Sequence, residues 1–183
     1  MDLNQRILAK LESMKTSQVL SLQDSFLGDD GCRLLVEFFK ANSHNHIIKL
    51  DLKANNIGER GATYLAYLLQ DNDSIKKLSL EWNSIGLSDT GLAAICQSLV
   101  NNTSLQELDL RNNQIQTSGA QFIADLIRSN KTLKKLDLRW NDLGRQGANA
   151  ILQAVQENSI LHQVELTGNK GTEEAVQAME TFL

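Results

Sequence analysis

Short segments of the chain alternate leucine with a polar residue, and the longer segments that follow them carry apolar residues every three or four positions. The first pattern is the period of a strand with one buried face, and the second is that of an amphipathic helix. The string leucine-x-leucine-x-x-asparagine recurs as LDLKAN (50–55), LSLEWN (78–83), LDLRNN (108–113) and LDLRWN (136–141), with divergent copies LSLQDS (20–25) and VELTGN (164–169). Its closing positions, Ser25, Asn55, Asn83, Asn113, Asn141 and Asn169, stand 30, 28, 30, 28 and 28 residues apart, so one repeating unit fills the chain. The two longer spacings come from insertions in connections, GLSDTG (86–91) against GERG (58–61), and NSHNHI (42–47).

Each LDL segment predicts a strand of about three to four residues with its leucines facing inward. The asparagine that closes it sits where the chain must turn. There its amide can satisfy backbone groups of the buried turn and of the next repeat, which predicts a structural ladder of Asn55, Asn83, Asn113, Asn141 and Asn169, with Ser25 a poorer member. After Gly31, Gly61, Gly91, Gly119 and Gly147 the helical period takes over. In GATYLAYLLQDN the residues Ala62, Leu65, Ala66, Leu68 and Leu69 share one face. The glycines are read as turn markers. Asn72, Asn102, Asn130 and Asn158 are predicted to end the helices in the left-handed conformation.

Parallel strands stack about 4.8 Å apart, whereas helices need about 10 Å each, so the stack must bend. The expected fold is an α/β leucine-rich-repeat horseshoe of about six repeats: a right-handed βα solenoid with a curved parallel sheet inside and helices outside. Residues 1–183 are expected to form a single domain. Residues 1–16, with Leu3, Ile7, Leu11 and Met14 at helical spacing, should cap the first edge. Residues 17–166 hold the repeats, and 167–183, with Ala175, Val176, Met179 and Phe182, form a degenerate closing repeat.

Composition changes this picture little. A net charge of −4 gives no electrostatic reason to expect nucleic acid, and no segment approaches the apolar length of a membrane span. The N-terminus, MDLNQRILAKLESMK, lacks the apolar core of a secretion signal, which places the chain in the cytosol or nucleus. Cys32 and Cys96 fall on amphipathic stretches and read as reduced packing residues.

The repeat as a whole, L-x-x-L-x-L-x-x-N-x-[IL]-x-x-x-G, resembles the ribonuclease-inhibitor type of leucine-rich repeat over residues 17–183. That resemblance implies a scaffold binding a protein partner on its concave face or rim, with no cofactor and no small-molecule substrate. The ordered series LSLEWNSIG, LDLRNNQI and LDLRWNDLG, ending in EEAVQAM, is similar to the repeat domain of centrosomal and ciliary leucine-rich-repeat coiled-coil proteins. This implies a cytoplasmic, cytoskeletal scaffold at the centrosome, basal body or cilium. Those relatives continue into a long coiled coil, so residues 1–183 are the repeat portion alone or a shorter relative. Two other functions are found on this repeat type, GTPase activation and actin-filament capping. The first comes with longer chains and an acidic tail, the second with actin-binding helices upstream.

Catalysis would need a nucleophile, a base or a metal set placed outside the repeat logic, and none stands out. His44-Asn45-His46 lacks further ligands, and His162 is expected to face solvent. The strings Asn72-Asp73-Ser74, Asn102-Thr103-Ser104 and Asn130-Lys131-Thr132 match a glycosylation pattern but coincide with the helix stops, and are expected to be unmodified. The candidate site is therefore the concave face. Asp51, Ser79, Asp109 and Asp137 stand between the leucines and Lys53, Glu81, Arg111 and Arg139 after them, giving an acidic stripe beside a mostly basic one. Either these charges pair across strands, or they meet a partner. Trp82 and Trp140, the two tryptophans of the chain, each precede the ladder asparagine, where other repeats carry Asp24, Ala54, Asn112 and Gly168. Core volume does not require them. With Arg111 and Arg139 beside them they read as interface anchors about 10 Å apart. The competing reading stacks each indole on neighbouring backbone or on an arginine.

Overall fold

The computed structural model describes residues 3–14, 16–42 and 46–182. Helix α1 (Leu3–Ser13) is followed by a strict alternation of β1 (Val19–Ser21), α2 (Gly28–Ala41), β2 (Lys49–Asp51), α3 (Glu59–Asp71), β3 (Lys77–Ser79), α4 (Asp89–Val100), β4 (Glu107–Asp109), α5 (Thr117–Ser129), β5 (Lys135–Asp137), α6 (Gly144–Gln156), β6 (Gln163–Glu165) and α7 (Glu173–Met179). The strands form one parallel sheet in chain order. Its register aligns the repeats residue for residue: Leu20, Leu50, Leu78, Leu108, Leu136 and Val164 share one row. The expected horseshoe is the observed fold.

The core lies between sheet and helices. Both leucines of each motif are buried, as are Ala62, Leu65, Ala66, Leu68 and Leu69 of α3. At the N-terminal end Ile7 and Leu11 of α1 are buried and Met14 packs against them; the side chain of Leu3 lies outside the described residues. At the other end Ala175 and Met179 are buried and Val176 is half-buried, but Phe182, expected to join them, is 54% exposed.

The predicted asparagine ladder is directional. Asn83 Oδ1 accepts the N–H groups of Asn55 and Ile57 at 3.1 and 2.9 Å, while its Nδ2 donates to the carbonyl of Leu52 at 3.0 Å. Asn55, Asn113, Asn141 and Asn169 reach the preceding repeat in the same way. Ser25 has only its hydroxyl, which donates to the carbonyl of Gln23 in its own repeat.

Two expectations are corrected. The helix-stop asparagines are not left-handed: Asn72 has φ −88° and Asn130 φ −72°. They form a second ladder instead. Asn102 Nδ2 donates to the carbonyls of Leu69 and Asn72 in the preceding repeat, and its Oδ1 accepts from the N–H groups of Ser104 and Leu105. Asn130 repeats this on Leu99, Asn102, Thr132 and Leu133. The third residue of two N-x-S/T strings joins in, for the Ser104 and Thr132 hydroxyls donate to the carbonyls of Asn72 and Asn102, while the Ser74 hydroxyl donates to Asn72 Oδ1 in its own turn. An extended backbone with these side-chain bonds satisfies more buried groups than a left-handed cap.

The glycines are not turn markers either. Gly61 and Gly91 lie inside the first turns of α3 and α4, against the preceding repeat. A Cβ on Gly91 would stand 3.0 Å from Glu59 Cα and 3.1 Å from Ala62 Cβ. The residue is small so that helices of successive repeats can approach closely.

Candidate functional site

Strands β1, β2, β3 and β5 expose their first residue, bury their second and half-bury their third, with Glu107 of β4 and Val164 of β6 half-buried instead, so the inner face of the sheet carries three polar rows. The first row is Lys49, Lys77, Glu107, Lys135 and Gln163. The second is Ser21, Asp51, Ser79, Asp109, Asp137 and Glu165, and the third Lys53, Glu81, Arg111 and Arg139. All of these but Ser21 and Arg139 line a groove of about 670 Å³. The first row was not singled out from the sequence, although the lysine before the motif leucine in KLDL (49–52, 135–138) and KLSL (77–80) was its signal.

The charges of the second and third rows largely satisfy one another. Glu81, almost fully buried, takes Lys53 Nζ at 2.8 Å and Arg111 Nη2 at 2.9 Å. Arg111 also contacts Asp109 at 2.6 Å and Asp137 at 3.4 Å, and Arg139 contacts Asp137 at 2.6 Å. The Asp109 hydrogen bond, with the charges of Glu81 and Asp137 behind it, raises the Arg111 pKa beyond its usual high value. Asp137 does the same for Arg139. Asp51 stands outside this network and accepts the backbone N–H of Lys53. The pairing reading of the stripes thus describes Lys53, Glu81, Asp109, Arg111, Asp137 and Arg139.

The tryptophans line a different surface from the groove. Trp82, Trp140 and the exposed Leu87 border a shallow depression of about 620 Å³ on the rim, with Asn56, Asn112, Gln114 and Asp142. The GLSDTG insertion contributes here, since Ile85–Leu87 forms a 3-10 turn that presents Leu87. The indoles are 58% and 59% exposed. Their backbone is left-handed, as it is at the equivalent position of every repeat: φ is 50° at Asp24, 56° at Ala54, 57° at Trp82, 52° at Asn112, 59° at Trp140 and 83° at Gly168. Inter-repeat bonds hold it there, from Trp82 N–H to the Arg111 carbonyl and from Trp140 N–H to that of Thr167. A left-handed conformation costs an L-residue roughly 1–2 kcal/mol, and for a bulky side chain it is an outlier. Trp140 lies against Gly168 of the next repeat. Among the described residues no cation stacks on either indole, and the expected partnership with Arg111 and Arg139 is replaced by the carboxylate contacts of those arginines.

Cys32, Cys96 and His162 line neither surface. Cys32 and Cys96 are buried and free, and burial, with Asp125 adding to it, pushes the Cys96 thiol up to about 12. That leaves it protonated and unreactive at neutral pH. His162 is exposed. His44 lies outside the described residues, and among these no group of three or more metal-ligating side chains occurs. No helix among them is long and apolar enough to cross a membrane.

Three segments, 43–66, 101–124 and 129–152, match the leucine-rich-repeat family. No curated protein matches the sequence. Among solved structures, the chain is similar to Leiomodin-1 Actin-Binding Site 2 (ABS2), with a TM-score of 0.65 at 14% identity, covering 100% of this chain and 88% of that one. At that identity the likeness is one of fold. Leucine-rich repeats are generally interaction scaffolds rather than active sites, and this chain has their architecture.

Proposed function

We propose that this chain is a noncatalytic protein-protein interaction scaffold whose partner contacts the concave groove and, as its anchor, the tryptophan rim. In this reading residues 1–16 and 167–183 cap the two ends of the repeat stack. The observation that carries it is the placement of two large indoles, more than half exposed, at strained left-handed positions that other repeats fill with the smaller Asp24, Ala54, Asn112 and Gly168. Both rings stay out of the core, although Trp140 also packs on Gly168 of the next repeat. Tryptophan is among the residues most enriched at interface hot spots, where truncation costs at least about 2 kcal/mol of affinity.

The setting of that scaffold follows from the resemblance of LSLEWNSIG, LDLRNNQI and LDLRWNDLG to centrosomal and ciliary proteins: a cytoskeletal role at centrosome, basal body or cilium. The test is proximity labelling in cells with the wild-type chain and a Trp82→Ala, Trp140→Ala variant. Centriolar or axonemal neighbours should label with the wild type and be lost with the folded variant. Unchanged labelling by the variant sinks the rim as anchor, and neighbours from other compartments sink the cytoskeletal setting. Actin capping is the second reading, supported by the fold shared with the leiomodin actin-binding domain. Co-sedimentation with actin filaments separates the two.

A further inference from the structure

Resting on the rim as a protein contact, we propose that the depression between Trp82 and Trp140 binds a proline-rich segment in the polyproline II conformation, carrying one basic residue. Three features of the surface carry this. The first is spacing. β3 and β5 are separated by β4, so equivalent positions lie about 9.6 Å apart at about 4.8 Å per strand. One turn of polyproline II, three residues at about 3.1 Å, advances about 9.3 Å, so successive turns of one ligand would meet successive indoles. Stiff proline rings pack on flat aromatic faces, and little ordering entropy opposes binding.

The second feature is the kind of hydrogen bond on offer. The rim's backbone N–H groups are consumed by inter-repeat bonds: those of Trp82, Asn112 and Trp140 bind the carbonyls of Arg111, Arg139 and Thr167. A partner adding a β-strand would find no main-chain ladder here. Amide side chains supply the donors instead. Asn112, in the repeat between the two tryptophans, and Asn56 make no side-chain hydrogen bond among the described residues, and Gln114 commits only one donor, to Ser84 Oγ. Polyproline II has unpaired carbonyls projecting into solvent and no N–H to offer at proline, so it matches a surface of side-chain donors.

The third feature is charge. The depression contains no cation and one carboxylate, Asp142, which is exposed and makes no ion pair among the described residues. Its nearest complement is a single Arg or Lys at one end of the ligand.

Trp82 and Trp140 are the only tryptophans, so emission excited selectively at tryptophan, away from tyrosine absorption, reports on this surface alone. The experiment titrates the purified chain with an acetylated, amidated peptide of one arginine followed by eight prolines, and with a control of one arginine followed by alternating glycine and serine. A saturable emission change with the proline peptide is expected, at least about tenfold tighter than with the control. In Trp82→Ala and in Trp140→Ala, each followed through the remaining indole, it should weaken by about tenfold or more. Ala54 already occupies the equivalent left-handed position, so both variants should fold. Asp142→Asn should weaken the arginine peptide but not an all-proline one. Equal binding of the two peptides, or no saturable change, overturns the proposal. If the proline peptide fails while the double tryptophan variant still loses its neighbours in cells, the rim remains a protein contact and only its ligand class falls.

Discussion

The indole of Trp140 lies so close over Gly168 of the following repeat that a Cβ there would stand 2.5 Å from Trp140 Cε3. Gly168 is also left-handed, at φ +83°. Gly168→Ala therefore meets two separate costs, a backbone one of roughly 1–2 kcal/mol and a collision with the ring. Urea denaturation should show Gly168→Ala destabilised by more than the backbone cost alone. Adding Trp140→Ala should recover the collision part and leave the backbone part. Strictly additive effects would show that ring and glycine do not touch in solution.

Trp82→Gly tests whether the tryptophans belong to the fold. A buried tryptophan costs about 3–5 kcal/mol to truncate. An exposed one at φ 57° should cost nothing, and glycine relieves backbone strain, so midpoint stability should stay level or rise by up to about 1 kcal/mol. A loss of several kcal/mol would return the residue to the core.

Asn113→Ala removes a buried amide that serves the Ile85 N–H and the Leu80 carbonyl of the preceding repeat. Leaving those groups unpaired should lower stability by about 1–3 kcal/mol. A thermal melt indistinguishable from wild type would dismiss the ladder as the reason for the residue.

At Asn102 a glycine substitution separates two explanations of the helix stops. A left-handed cap would accept glycine at no cost. The second ladder needs the amide, which reaches Leu69 and Asn72 at 2.8 and 3.0 Å. Asn102→Gly should therefore be at least as destabilising as Asn102→Ala, both by about 1–3 kcal/mol.

Arg111 and Arg139 occupy equivalent positions but not equivalent networks. Arg111 contacts three carboxylates, including the buried Glu81, whereas Arg139 contacts Asp137. Arg111→Ala should cost about 1–2 kcal/mol and Arg139→Ala less than about 1 kcal/mol, read by urea denaturation at low salt. Equal losses would mean that the Glu81 contact is solvent-screened.

The strands, helices, buried leucines and first asparagine ladder were legible because each depends on signals within about one repeat, and six copies spoke for one another. Periods of two and of three to four report which face is buried whatever the neighbour is. The sequence also marked Trp82 and Trp140 as residues the core does not require. Only the tertiary structure decided how one repeat meets the next. Gly91 reads as a turn residue until the Glu59 backbone and the Ala62 Cβ are found against it. Asn102 reads as a left-handed cap until the Leu69 carbonyl, 33 residues away, proves to be its partner. Arg111 was drawn from the tryptophans into the carboxylates of three repeats, and the indoles were left on the rim in a left-handed turn. These outcomes depend on distances between atoms about one repeat apart in the chain, set by how closely helices and strands of adjacent repeats pack, and no local pattern of residue types encodes such a distance.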